Sequence, residues 1–134
     1  MTLLQRLRRK PLFYLWLPVA AWMGLIFYLS AQADLPHPQA GWMGWLFSSG
    51  AHALEYGVLA VLWRRALGQS RRAGLLAFAL AFAYALSDEF HQSFVPGRHP
   101  DVVDLACDAL GAALGLGMWA VWHRQDPKGG VLQL

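Results

Sequence analysis

Apolar stretches alternate along this chain with short segments that carry most of its charges. Residues 12–30 contain no charged side chain, and a helix of that length reaches roughly 28 Å, enough to cross a bilayer core. Three further apolar stretches follow at about 48–63, 73–90 and 102–122. The pattern predicts an all-α membrane protein, a bundle of four transmembrane helices.

The start of the chain allows a second interpretation. A basic segment at residues 1–11, an apolar run and Ala31-Gln32-Ala33 also resemble a cleavable secretory signal. The apolar run exceeds the roughly 7–15 residues usual in such signals, which favours a membrane anchor. Residues 34–50 carry Pro36 and Pro38 and several glycines, and this composition predicts a loop.

Small residues recur at helical spacing in the last two apolar stretches. Ala77, Ala81 and Ala85 are four apart, and Gly111 and Gly115 form a Gly-x-x-x-Gly pair. Small residues at this spacing let helix backbones approach closely within a membrane. We therefore predict tight packing of the third and fourth helices against their neighbours.

Composition and charge support the membrane assignment and orient the chain. Apolar residues make up 57% of the sequence and charged residues 14%, as in membrane proteins. All but one of the 11 Lys and Arg residues lie in the N-terminal segment, the second connection or the C-terminal tail. The positive-inside rule then predicts both termini in the cytoplasm, with tails at 1–11 and 124–134 around a membrane domain at 12–123. No basic face is interleaved with aromatic residues, so a nucleic-acid partner is not expected.

This topology gathers polar side chains at the outer ends of helices two, three and four. They are His52, Glu55, Asp88, Glu89, His91, Arg98, Asp101, Asp104 and Asp108. His52 and Glu55 share one face of a helix, and Asp101, Asp104 and Asp108 form one stripe. An acid at membrane depth costs about 2.5–3.5 kcal/mol unless it faces protein or water, so we predict one polar pocket between these faces.

The chemistry of such a pocket has several interpretations. Crowded carboxylates must share protons, pair with Arg98 and the histidines, or hold a divalent metal ion. The candidate metal ligands are His52, Glu55, Asp104 and Asp108, and the candidate catalytic groups are His52, Glu55, Asp88 and His91. Simpler roles compete with these. Asp101 is expected to cap helix four, Asp104 could cap or belong to the site, and Glu89 and His99 have the pattern of solvated loop residues. Arg98 is either an ion-pair partner or a ligand for a phosphate-bearing headgroup.

The chain resembles the VanZ-like family of small bacterial membrane proteins over nearly its whole length outside the tails. The resemblance rests on Leu29-Ser30-Ala31-Gln32, His52-x-x-Glu55-Tyr56, Ser87-Asp88-Glu89-x-His91-Gln92, Phe94-Val95-Pro96-Gly97-Arg98, Asp101, Asp104, Asp108 and Gly111. Ala31 stands where a second serine is common in the family. The resemblance implies a multi-pass protein of the bacterial cytoplasmic membrane, and the family takes its name from a determinant of teicoplanin resistance. The motif residues that it carries over are His52, Glu55, Asp88, Glu89, His91, Arg98, Asp104 and Asp108.

Two functions remain open at this point. The first is an outer-face pocket that binds a lipid headgroup or a lipid-linked cell-wall precursor and so affects susceptibility to glycopeptides such as teicoplanin. Its binding residues would be Glu89, Gln92, Arg98, Asp104 and Asp108. The second is a membrane-embedded, metal-dependent enzyme that acts on a lipid-linked substrate, with a metal-bound water as nucleophile. Whether the protein is an enzyme is left undecided.

Overall fold

The computed structural model describes residues 12–32, 41–68 and 70–124, and every regular element in them is an α-helix. The helices are α1 (Leu12–Ser30), α2 (Gly41–Leu67), α3 (Arg71–Gln92) and α4 (Val102–Arg124). Three of them contain segments that are long and apolar enough to cross a membrane: Phe13–Ser30, Arg72–Gln92 and Val102–Arg124. The described part of this multi-pass membrane protein is therefore all-helical.

Helix α2 differs most from the sequence prediction. It begins at Gly41 rather than near residue 48, so the loop predicted for residues 34–50 is wrong for 41–50, while 33–40 lie outside the described residues. Both prolines that suggested the loop precede Gly41. A glycine within a helix costs only about 1 kcal/mol relative to alanine, so Gly44 and Gly50 do not end it.

The core of the bundle is apolar and lies around the middle of α2, which contacts all three other helices. Tyr56, Leu59 and Ala60 of α2 are buried there with Val19 and Ile26 of α1. The remaining buried members of this cluster come from α3 and α4: Ala81, Ala85 and Ala112. Burial of α2 on several sides explains how a helix with charged residues is accommodated in the bundle.

The two small-residue patterns pack as predicted. Ala77, Ala81 and Ala85 of α3 are all fully buried. On α4, a Cβ atom added at Gly111 would overlap the backbone of Ala53, and one at Gly115 would lie 2.6 Å from the carbonyl oxygen of Gly57. Backbone contact between α2 and α4 thus requires glycine at both positions of the Gly-x-x-x-Gly pair.

Candidate functional site

A cavity of about 300 Å³ lies at the end of the bundle where α1 and α3 end and α4 begins. All four helices and the α3–α4 loop contribute to its wall. Its lining residues are Leu29, Ser30, Phe47, Ser48, Ala51, His52, Glu55, Asp88, Gln92, Gly97, Arg98, His99 and Asp104. Most of the polar residues that the sequence predicted to form one pocket therefore line the same cavity.

His52 of α2 is held between two aspartates of α4. Its Nδ1 lies 3.0 Å from Oδ1 of Asp108, and its Nε2 lies 3.7 Å from Oδ2 of Asp104. Asp108 is only 2% exposed. A carboxylate accepts hydrogen bonds and cannot donate them, so the Nδ1–H of His52 donates to Asp108. The Nε2 atom is left on the side of Asp104, which lines the cavity with His52.

A second network surrounds Asp88 near the end of α3. The hydroxyl of Ser30 donates to Oδ1 of Asp88 at 2.6 Å, and Nε2 of Gln92 donates to Oδ2 at 3.1 Å. Nδ1 of His91 lies 3.2 Å from the Ser30 oxygen, and the His91 ring stacks on Phe27 with centroids 4.1 Å apart. Because the single Ser30 proton goes to Asp88, Nδ1 of His91 is the donor to Ser30. Both oxygens of the buried Asp88 are thus hydrogen-bonded within the protein.

Arg98 lies in the turn between α3 and α4 and lines the cavity. Its Nε donates to the backbone carbonyl of Gln32 at 3.0 Å, just after the end of α1. Among residues 12–32, 41–68 and 70–124, no carboxylate lies within ion-pair distance of its guanidinium group. Of its two predicted roles, the ion-pair partner is therefore not seen in this part of the chain.

Two acids, Asp101 and Glu89, accept hydrogen bonds from backbone N–H groups at the start of α4. Asp101 accepts the backbone N–H of Val103 at 2.8 Å, which is the capping contact predicted for it. Glu89 was expected to be solvated in a loop, and this is wrong: it lies in α3, is 8% exposed and accepts the backbone N–H of Asp101 at 2.9 Å. The reason is a contact between separate parts of the chain: the side chain of Glu89 reaches the N–H of Asp101, just before α4.

The candidate metal ligands do not form a compact set. Among the described residues, no group of three or more His, Cys, Asp or Glu side chains has an arrangement that could hold a metal ion. His52 contacts Asp104 and Asp108, whereas Glu55 lines the cavity and forms no hydrogen bond or ion pair with that group in the described part of the chain. The arrangement fits proton transfer and hydrogen bonding to a bound molecule.

Comparison with known proteins adds one finding to this geometry. The family model for VanZ/LLP1 matches residues 6–123 of the chain. The protein belongs to the VanZ/LLP1 family. No curated protein and no solved structure matches it significantly. The match confirms the resemblance that the sequence motifs indicated.

In this VanZ/LLP1 protein, two residues of the site come from a segment to which sequence reasoning assigned no role. Ser30 binds Asp88, and the carbonyl of Gln32 binds Arg98. Both belong to the Leu29-Ser30-Ala31-Gln32 motif at the end of α1, which contributed to the resemblance only. A polar serine at the C-terminal end of an otherwise apolar helix was the signal that could have identified this contact.

Proposed function

We propose that this VanZ/LLP1 protein crosses the bacterial cytoplasmic membrane four times, with both termini inside, and binds a lipid headgroup in its outer-face cavity. The bound lipid is a phospholipid or a lipid-linked cell-wall precursor. Binding of the precursor would change its access to glycopeptides such as teicoplanin, and this would give the protein a role in the cell envelope.

The fourth span in this proposal is α2. Its 27 residues reach roughly 40 Å, longer than a bilayer core. His52 and Tyr56 are buried in the bundle, so the polar face of α2 does not require contact with lipid. Arg64 and Arg65 lie in its last turn, at the end away from the cavity, which agrees with a cytoplasmic location under the positive-inside rule.

The observation that carries the headgroup proposal is the fixed position of Arg98. The Nε contact with the Gln32 carbonyl orients the guanidinium, while its Nη groups donate to none of the described residues. Two parallel N–H donors of arginine match two oxygens of a phosphate group. A phosphate ester in the cavity would therefore find an oriented partner in Arg98.

The other walls of the cavity match the remaining parts of a lipid headgroup. Glu55 and Asp104 line it and can accept hydrogen bonds from hydroxyl or ammonium groups. Leu29 and Phe47 form the apolar part of the cavity wall. Because the Phe47 side chain is 55% exposed, it can contact the first hydrocarbon segment of a lipid. A molecule with one phosphate ester, polar substituents and an attached chain meets all three kinds of surface.

Binding to the protein in nanodiscs tests this proposal. The probes are short-chain phosphatidylglycerol and a polyprenyl-diphosphate-linked disaccharide, each measured with the parent, Arg98→Ala and Arg98→Lys. A hydrogen bond to a charged group contributes about 1.5–3 kcal/mol, so Arg98→Ala should weaken binding at least about tenfold. Arg98→Lys should weaken it less, because the charge remains while the two-donor geometry is lost.

Arg124→Ala is the matched control, because it removes an exposed arginine at the far end of α4. It should leave binding of both lipids unchanged. Equal binding of both lipids by Arg98→Ala and the parent would refute the headgroup proposal. Teicoplanin susceptibility of cells that carry each variant then separates the two lipids, since only capture of the precursor links binding to resistance.

A further inference from the structure

The cavity contains a histidine arranged to exchange a proton with a bound molecule. The Nδ1–H of His52 is held 3.0 Å from the carboxylate of Asp108, which is 2% exposed. A carboxylate on one ring nitrogen selects the tautomer and stabilises the ring when the other nitrogen accepts a proton. The other nitrogen, Nε2, is on the side of Asp104, and both residues line the cavity. This is the arrangement of a general base with its positioning residue.

The backbone holds this pair in place independently of any ligand. Ala53, the neighbour of His52, lies in backbone contact with Gly111, less than one helical turn after Asp108. His52 is 8% exposed, so its ring has little freedom to leave the carboxylate. A metal-ion role is not needed to explain the contact, because the hydrogen bond already satisfies Nδ1.

We propose that the protein hydrolyses, in this cavity, a phosphodiester in the headgroup of a membrane phospholipid. His52 is the catalytic base and Asp108 is its positioning residue. The inference rests on the headgroup binding proposed above. A phosphodiester is favoured because it carries a single negative charge. Glu55 and Asp104 in the wall would repel a phosphate group with two charges more strongly, and Arg98 supplies one positive charge.

The reaction balances with water as the second reactant. Nε2 of His52 takes a proton from a water molecule, and the water oxygen forms a bond to phosphorus. The bond from phosphorus to one ester oxygen breaks, and that oxygen leaves with its electron pair and receives the proton from the His52 imidazolium. The products are a phosphate monoester and an alcohol. Arg98 faces the charged oxygens during the step, and Asp108 stabilises the imidazolium.

The test uses the full chain in nanodiscs with dioleoyl phosphatidylglycerol, and a separate arm with a polyprenyl-diphosphate-linked disaccharide. Mass spectrometry follows the products, and binding is measured in parallel. His52→Gln should lower kcat on phosphatidylglycerol by about 10²–10⁴-fold, the usual contribution of a general base. Asp108→Asn keeps the shape but removes the negative charge that stabilises the imidazolium, so it should lower kcat more than tenfold while KM stays within twofold of the parent. His123→Gln, at the far end of α4, is the matched control and should retain parental kcat.

The outcomes distinguish failure of the hydrolytic role from failure of the headgroup proposal. Binding of phosphatidylglycerol without turnover by the parent would overturn the hydrolytic role and leave the binding role standing. Turnover of the diphosphate-linked probe alone would overturn the phosphodiester assignment. Parental kcat in a His52→Gln protein that still binds lipid would exclude His52 as the base. If Asp108→Asn raised KM more than tenfold and left kcat at the parental value, Asp108 would have a purely structural role. Failure of the parent to bind any probe would refute both proposals.

Discussion

Alanine at Gly111 is expected to separate α2 from α4 and to disturb the cavity at the same time. The added Cβ would overlap the carbonyl oxygen, carbonyl carbon and Cα of Ala53. These are backbone atoms of a neighbouring helix and cannot move aside as a flexible side chain would. The two helices must therefore move apart where their contact is closest.

The size of the effect follows from two opposing contributions. Overpacking of a well-packed interior costs about 1–3 kcal/mol. Alanine improves helix propensity over glycine by about 1 kcal/mol, which partly offsets that cost. Because the clash at Gly111 involves only backbone, we expect the upper end of the range and a net loss of about 2 kcal/mol in the free energy of unfolding. The ratio of folded to unfolded protein would fall roughly 30-fold.

The same displacement should reach the His52–Asp108 contact. His52 precedes Ala53, and Asp108 lies three residues before Gly111, so a shift of either helix lengthens the 3.0 Å distance between Nδ1 and Oδ1. The Gly111→Ala protein should therefore lose function in addition to stability. Cavity residues on α1 and α3, such as Asp88, should keep their contacts.

Equilibrium unfolding in mixed micelles with increasing denaturing detergent measures the loss. Gly117→Ala is the matched control on the same helix, because a Cβ there meets nothing within 4 Å. That variant should be as stable as the parent or up to about 1 kcal/mol more stable. If Gly111→Ala were as stable as Gly117→Ala, the inferred backbone contact between α2 and α4 would be refuted.

Four further predictions concern two tyrosine hydroxyls, metal dependence and topology. Tyr84→Phe removes the hydrogen bond of 2.7 Å to the Met23 carbonyl and should cost about 1 kcal/mol of unfolding free energy. Tyr56→Phe removes a buried hydroxyl that has no partner among the described residues, so it should change the free energy of unfolding by less than about 0.5 kcal/mol. A larger loss of unfolding free energy in the same assay would contradict the absence of a partner. Treatment with EDTA should leave lipid binding unchanged, because the proposed anchor is Arg98, and a tenfold weakening restored by a divalent metal would contradict this. A fluorescent-protein fusion at the C-terminus should fluoresce, and alkaline phosphatase inserted within 33–40 should be active, whereas the reverse pattern would exclude the proposed orientation.

The contacts that could be predicted are those between residues close together in the chain. Asp101 caps α4 through the N–H of Val103, two residues ahead, and its position before an apolar helix was sufficient to predict this. Glu89 has a comparable place near a turn, but its partner is the N–H of Asp101, in another part of the fold. Local spacing carries no information about that second contact, and the prediction of a solvated Glu89 was wrong for this reason.

By itself, the sequence determined that the protein is helical, suited to a membrane and polar at one end. Apolar length and helical period act within each segment, so they require no knowledge of its neighbours. Only the tertiary structure decided which polar residues meet. The contacts of His52 with Asp108, Ser30 with Asp88 and Arg98 with Gln32 span 56, 58 and 66 residues. The helical period predicts which residues share a face of a helix, but packing decides how each helix is rotated toward its partners. The close contact between Gly111 and the backbone of Ala53 is an example.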